Sequence, residues 1–423
     1  MTNATDAFPA IRSITAKVTA ARMIAVNTMR HRAIEPDDPT RKLEFYRTLV
    51  TIVMICGYCY YQATFINHHL LFNNHIETAL FSIQNSIALF FVLDGAISFL
   101  PFARAILQRQ RHYSTRTFLT RRIIRLLPVY YIAVIIVWIT HLRGNGASYQ
   151  WLDLLEHLTF IQIFDAKDIY QTIGPAWVIS VEVWLSIMLA CFVSLIHLLC
   201  KAPHQRAVRI IAMLSVSCLC IALGLLYKVW LVGTAYTPIT NPVLFYSFPW
   251  LDSFGLGLLL AIVIAVAEGG KRHLLLGFIS LITAIGLAGS TYYLSEYSVT
   301  GAIENLLFNQ SMWGVIALFL CFIVVGWANL SRFPRRKTHV SRIIEYIGAI
   351  SYGLFMWYEP LFSWLGHYFV ASSPVVFAVG LLAFILMLIL VASVSYWIVE
   401  YPVSFLSHIF SHEGRLSPRY IEA

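Results

Sequence analysis

Apolar runs long enough to cross a bilayer recur along nearly the whole of this chain. They lie near 48–66, 78–101, 126–142, 176–199, 210–232, 243–267, 274–293, 311–328, 347–369 and 374–398. A crossing helix takes about 20 mostly apolar residues, because hydrocarbon offers the backbone no hydrogen-bond partner outside the helix itself. The pattern predicts an all-α fold, a polytopic membrane helix bundle of about ten transmembrane helices. Composition agrees: of 423 residues, 59% are hydrophobic and only 12% charged, where a soluble domain carries roughly a quarter charged residues.

The positive charges sort by loop. Arg104, Arg109, Arg111, Arg116, Arg121, Arg122 and Arg125 follow the second run; Lys201, Arg206 and Arg209 follow the fourth; Lys271 and Arg272 the sixth; Arg332, Arg335, Arg336, Lys337 and Arg342 the eighth. The alternate loops hold only Arg143 and Lys167, and Lys228 lies within a run. Basic loops stay cytoplasmic, so both termini are expected inside. The net charge of +9 is thereby explained as an orientation signal, and no nucleic-acid partner is expected. Residues 1–42 read as a basic cytoplasmic tail, with Ile11 to Val26 able to form an amphipathic surface helix; 43–405 form the membrane domain and 406–423 a second tail. No cleavable signal peptide is expected. The cysteines lie in or beside the runs and read as small buried hydrophobes, Cys56 and Cys59 included.

Ionisable groups within spans are costly and normally face a partner or a cavity. Arg47 opens the first span. Tyr58 follows eleven residues later, within about 20° of three full turns, so both occupy one face about 16 Å apart. Arg47 also suits an inner-leaflet snorkelling anchor. Asp94, in FFVLDGAISF, is placed nearer the inner end of span two and needs a partner; Gly95 beside it admits a close backbone. Arg122 and Arg125, three apart, share a helix face suited to phosphates. Glu182 enters span four, where Trp177 reads as an interfacial aromatic. Glu359 follows Tyr358 deep in span nine, and Glu400 ends span ten as a counter-ion for the arginines. His141, His157, His197 and His367 read as interfacial residues. No metal site is expected, and no HExxH, GxSxG or phosphate-loop motif occurs.

Six stretches in order, LEFYRTLVTIVMICGY, FFVLDG, RRIIRLLP, WVISVE, IGAISYGLFMWYEP and SYWIVEYP, resemble the acyltransferase-3 family of polytopic membrane O-acyltransferases. The resemblance runs from Leu43 to Pro402. It implies an acyl-CoA co-substrate, acetyl-CoA being the commonest, no bound cofactor, and a hydroxyl acceptor on a cell-envelope glycan or lipid-linked sugar. A bacterial inner membrane is implied with it. Arg47 matches the family's first-span arginine, Arg122 and Arg125 its paired arginines near the donor, and Glu182 its tryptophan-serine-glutamate acid. Ser351 and Tyr352 match its serine-tyrosine pair, and Glu400 with Pro402 its closing motif.

The chain departs from that pattern at Tyr58 and Tyr358, where the family carries histidine, at Asp94, where it carries serine, and beside Pro249 and Trp250, where an arginine is missing. Acyl transfer to a hydroxyl needs a proton acceptor. Tyrosine, with an ordinary pKa near 10, is a poor one. The replacements in order of expectation are a carboxylate (Glu359 or Asp94), Tyr58 itself, and a loop histidine, His68 or His69. Two rival functions stand beside transfer: a degenerate member that binds donor, glycan or partner without catalysis, and a small-molecule or polysaccharide transporter.

Overall fold

The computed structural model describes residues 39–67, 87–108, 114–145, 151–199, 205–234, 241–246, 248–267, 281–286, 289, 310–320, 339–365 and 373–403. All regular structure among them is helical: α1 (Pro39–Asn67), α2 (Ile87–Gln108), α3 (Thr115–Asn145), α4 (Trp151–Thr159), α5 (Ala176–Leu199), α6 (Arg206–Val232), α7 (Pro242–Tyr246), α8 (Leu251–Ala267), α9 (Gln310–Leu320), α10 (His339–Leu365) and α11 (Pro374–Ser395). Among the described residues, five helices are long and apolar enough to cross a membrane, α2, α3, α5, α6 and α11 with its extension to Val403. The chain is an integral membrane helix bundle. The Ile11–Val26 helix, His68, His69, His367 and most of the seventh span lie outside the described residues.

Several boundaries move from the sequence reading. Helix α1 begins at Pro39, within the expected tail. Helix α2 continues to Gln108, through Pro101, beyond the expected end of span two. The run of apolar residues ends at Pro101, but Phe102, Ala103, Ile106 and Leu107 remain buried and carry the helix on. An element the hydropathy pattern did not mark, α4, folds between spans three and four.

Helix α2 is the axis of the bundle. It is buried on all sides, from Phe90 and Phe91 through Phe99 to Phe102, as a helix apolar around its whole circumference must be. Its closest partner is α8. A Cβ on Gly95 would lie 2.5 Å from the Phe254 carbonyl oxygen, and one on Gly257 would meet the α2 backbone. Small residues at such a crossing let two backbones touch, the chief source of helix association where lipid is as apolar as the side chains. Gly95→Ala should therefore cost about 1–3 kcal/mol, since backbone cannot yield as a side-chain tip can. Thermal unfolding in lipid nanodiscs checks it, and an unchanged midpoint would contradict so close a crossing. At the end of α2, Arg209 from α6 donates to the Ile106 carbonyl at 2.7 Å and the Leu107 carbonyl at 3.3 Å. A cation there satisfies terminal carbonyls and complements the helix dipole.

Helix α11 lies at the periphery. Val375, Val379, Leu382, Leu386 and Leu390 are each at least 60% exposed, and their spacing of three and four forms one apolar stripe, the face a lipid-contacting helix presents. Ser373 accepts from the Val376 N–H at 3.3 Å and caps its start. The span lysine, Lys228 of α6, is paired: its Nζ lies 2.7 Å from Asp252 of α8 and 2.9 Å from Ser311 of α9. That pair ties three helices together by charge.

Candidate functional site

Four ionisable side chains from four helices converge inside the bundle: Arg47 of α1, Asp94 of α2, Arg122 of α3 and Glu182 of α5. None exposes more than 14% of its side chain. Arg122 is the centre. One arm of its guanidinium donates to Asp94 and, at 2.6 Å, to Ser98; the other donates to Ser186. Glu182 Oε1 lies 3.4 Å away. Arg47 stands further off, 3.8 Å from Asp94 and 3.9 Å from Glu182. Its guanidinium rests over the Phe90 ring at 5.5 Å, as that of Arg122 rests over Phe118 at 5.5 Å.

The two serines repeat one device. Ser98 donates to the Asp94 carbonyl at 2.5 Å, and Ser186 to the Glu182 carbonyl at 2.6 Å. Each hydroxyl, spent as a donor one turn back along its own helix, presents its lone pairs to Arg122. Neither serine was singled out in the sequence, yet the four-residue spacing after each span carboxylate was the available signal. Two guanidiniums against two carboxylates leave the cluster formally neutral, which offsets the cost of taking four charges out of water. Asp94 Oδ2 and Glu182 Oε2 nonetheless accept no hydrogen bond among the described residues.

Other expected site residues take different places. Arg125 is exposed and acts electrostatically on Arg47 and Glu400, so the two arginines on one helix face have unlike surroundings. Glu400, on the π-helical turn that extends α11, lies against Gly353 of α10, where an added Cβ would sit 3.3 Å from its Oε1. Tyr352 is buried and donates to the Leu126 carbonyl at 2.8 Å, fastening α10 to α3. Ser351 donates to the Gly348 carbonyl at 2.9 Å, within its own helix.

Two sequence readings are corrected here. Arg47 is no snorkelling anchor, because its head is buried against carboxylates rather than raised toward lipid headgroups. Trp177 is not an interfacial aromatic: it is 6% exposed and stacks with Trp250 at 5.9 Å and Phe91 at 6.5 Å, inside the core.

A second group lies apart from the ion cluster. Tyr58 of α1 packs edge-on against Tyr358 at 5.0 Å and Phe362 at 5.7 Å, both from α10. Its phenol has the Gln62 side chain as a hydrogen-bond partner and Glu359 as an electrostatic neighbour. In the stretch 351–360, Glu359 alone keeps partial exposure. Its carboxylate faces Gly174, whose backbone N–H serves it and whose missing Cβ would lie 3.9 Å away.

The segment carrying Gly174 begins at α4, whose faces are inverted relative to a soluble helix. Trp151, Leu152 and Leu155 are exposed, at 74%, 53% and 55%, while Asp153, Glu156 and His157 are buried. Apolar side outward and polar side inward suits a helix seated in lipid over a polar interior. His157 is fully buried, which overturns its reading as an interfacial residue; the alternation of α4 is too short to register beside the long spans. The chain leaves α4 through Phe160, whose φ of 60° is unusual for a bulky residue. The Trp184 indole donates to its carbonyl at 3.0 Å and Tyr130 packs on its ring at 4.8 Å. Gln162 then donates to Tyr130 at 3.0 Å and Ser180 at 2.5 Å.

Just beyond, Glu156, Asp165 and Asp168 bring carboxylate oxygens within 4.8 Å of one another. Burial first, then repulsion from nearby carboxylates (Asp168 and Asp165 for Glu156, Asp153 and Asp165 for Asp168), pushes the Glu156 and Asp168 carboxyls above their ordinary range. A raised folded-state value means that the folded protein holds these protons more tightly than the unfolded chain. The stabilisation is present in acid and is lost as pH rises from the ordinary carboxylate range toward neutrality. Asp168→Asn should therefore raise stability slightly at neutral pH, by a few tenths of a kcal/mol given its exposure, with the gain vanishing near about pH 4. Melting curves at several pH values check the sign.

Four of the charges that sequence singled out, Arg47, Asp94, Arg122 and Glu182, thus converge within the bundle, and Glu359 lies in a second polar group apart from them. The family model for the acyltransferase domain designated Acyl_transf_3 matches residues 41–400, a range that contains every residue of both groups. No curated protein and no solved structure matches the chain. With nearly its whole membrane domain under one family model, the chain belongs to the acyltransferase-3 family.

Proposed function

We propose that this membrane acyltransferase moves an acyl group, acetyl in the simplest case, from cytosolic acyl-CoA to a hydroxyl of a cell-envelope glycan or lipid-linked sugar, in a bacterial inner membrane. The observation that carries the reading is the neutral cluster of Arg47, Arg122, Asp94 and Glu182, buried within a chain of this family. Arg122 is saturated by protein groups and holds the cluster together. Arg47, held only at ion-pair distance, retains donor capacity for the anionic groups of the donor. Arg125, exposed, suits the donor's phosphates. Asp94 Oδ2 and Glu182 Oε2 are acceptors left for hydroxyl protons.

In the transfer, the acceptor oxygen attacks the thioester carbonyl, the new C–O bond forms, and the C–S bond breaks to release the CoA thiolate. The hydroxyl proton passes through a base and ends on the thiolate. Asp94 is committed to Arg122, and Tyr58 is packed among aromatic rings. Glu359, mostly buried but partly exposed and served by one backbone N–H, is the carboxylate we assign as that base. The test is purified protein in nanodiscs with radiolabelled acetyl-CoA and a panel of envelope glycans and lipid-linked sugars. Label in an alkali-labile ester supports the reading; no ester and no donor hydrolysis across the panel overturns it. The packing of Tyr58 against Tyr358 and Phe362 favours a second reading, a protein that binds donor without turnover, and donor binding measured on the same sample separates the two.

A further inference from the structure

The inward face of α4 carries a chain of contacts that ends at Glu359. His157 Nδ1 lies 2.9 Å from the Asp153 carbonyl and 3.2 Å from Asp153 Oδ1. Both neighbours are acceptors, so Nδ1 carries the proton and donates it to the Asp153 carbonyl. Asp153 Oδ2 accepts from Thr172 Oγ1 at 2.7 Å. Thr172 is 1% exposed, and Ile173 beside it is equally buried. Two residues after Thr172 comes Gly174, against the Glu359 carboxylate. On the opposite side of α4, Tyr130 donates to the His157 carbonyl at 2.9 Å and Tyr131 to the Leu158 carbonyl at 3.1 Å, which fixes α4 to α3. The segment therefore has one end anchored on the bundle and the other on the proposed base.

We propose that Asp153 is a positioning residue: through Thr172 it seats the Gly174 backbone against Glu359 and so aims the base at the acceptor hydroxyl. The inference rests on the acyltransferase reading given above. A buried carboxylate could bind Thr172 merely to stabilise the loop. The geometry says more, because the register from Thr172 to Gly174 is short and its backbone ends on a functional carboxylate. Glycine at 174 leaves no Cβ between backbone and carboxylate, so a small displacement of the segment changes where Glu359 points. Misplacing a reacting group by about 1 Å costs on the order of 100-fold in rate.

The decisive variants are Thr172→Val, which keeps shape and removes the hydroxyl, and Thr172→Ser, which keeps the hydroxyl. T172V should lower kcat about 30-fold with the donor KM within about twofold, and T172S should restore kcat to within about threefold of wild type. In an E359Q background, T172V should add nothing, since a residue acting through Glu359 has no effect once the base is gone. Melting midpoints of all variants are measured alongside, and a kcat loss that tracks only falling stability overturns the proposal. So do T172V turnover within threefold of wild type, equal impairment of T172V and T172S, or full additivity with E359Q. A wild-type protein inert toward every acceptor overturns the acyltransferase reading and this inference together. An active wild type whose E359Q variant is equally active overturns the inference alone.

Discussion

Arg122→Met is expected to cost the protein about 3–5 kcal/mol, the usual consequence of removing one partner from a buried charge network. In wild type the guanidinium reaches Asp94, Ser98, Ser186 and Glu182 from one planar fork. Methionine has nearly the length and none of the donors. It leaves two buried carboxylates facing Arg47 alone, with a net negative charge in a medium that cannot solvate it. Lysine at the same position should recover only part of the loss, since one ammonium nitrogen cannot reach the acceptors that the two separate arms of the guanidinium serve. The measurement is thermal unfolding in nanodiscs, where a loss of this size corresponds to about 3–6 °C for a chain of this length. If R122M unfolds within about 2 °C of wild type, the cluster is more hydrated than its burial implies, and its role as the keystone of α2, α3 and α5 falls.

The sequence carried the charges but not their grouping. Arg47, Asp94, Arg122 and Glu182 stood out singly, because each breaks an apolar run; that they meet depends on the rotation of four helices, which hydropathy does not encode. Gly95 was legible as a close-approach site, and Phe254 is indeed against it. Tyr58 and Arg47 share a helix face by arithmetic, yet they serve different neighbourhoods, because about three turns of rise separate them. The least legible part was the segment 151–175. It is too short and too polar for a span, so it reads as an outer loop. Its burial comes from pairings within the segment and onto its neighbours, Thr172 with Asp153 and Gln162 with Tyr130 and Ser180, a pattern visible only once the chain turns back at Phe160. For the same reason His157 was misplaced at an interface and Trp177 in an aromatic belt: residue type sets what a side chain tolerates, and packing decides which environment it gets.

Glu359→Gln is the change expected to act on chemistry alone. Glutamine preserves size and the acceptor oxygen that meets the Gly174 N–H, but cannot take a proton. Loss of a positioned general base typically lowers turnover by about 100- to 10,000-fold. Stability should change little or improve slightly, because an unpaired carboxylate beside aromatic rings is itself costly. Donor affinity should also hold, since Arg47 and Arg125 lie in the other polar group. Tyr58→Phe is the matching control: its ring contacts with Tyr358 and Phe362 persist without the hydroxyl, and a fall of more than about tenfold would instead place the phenol in proton transfer. Steady-state transfer from labelled acetyl-CoA, with donor binding measured separately, distinguishes these cases. Should E359Q turn over as wild type while D94N or E182Q is inert, the base belongs to the arginine cluster, and the partly exposed carboxylate of α10 serves only to receive the acceptor.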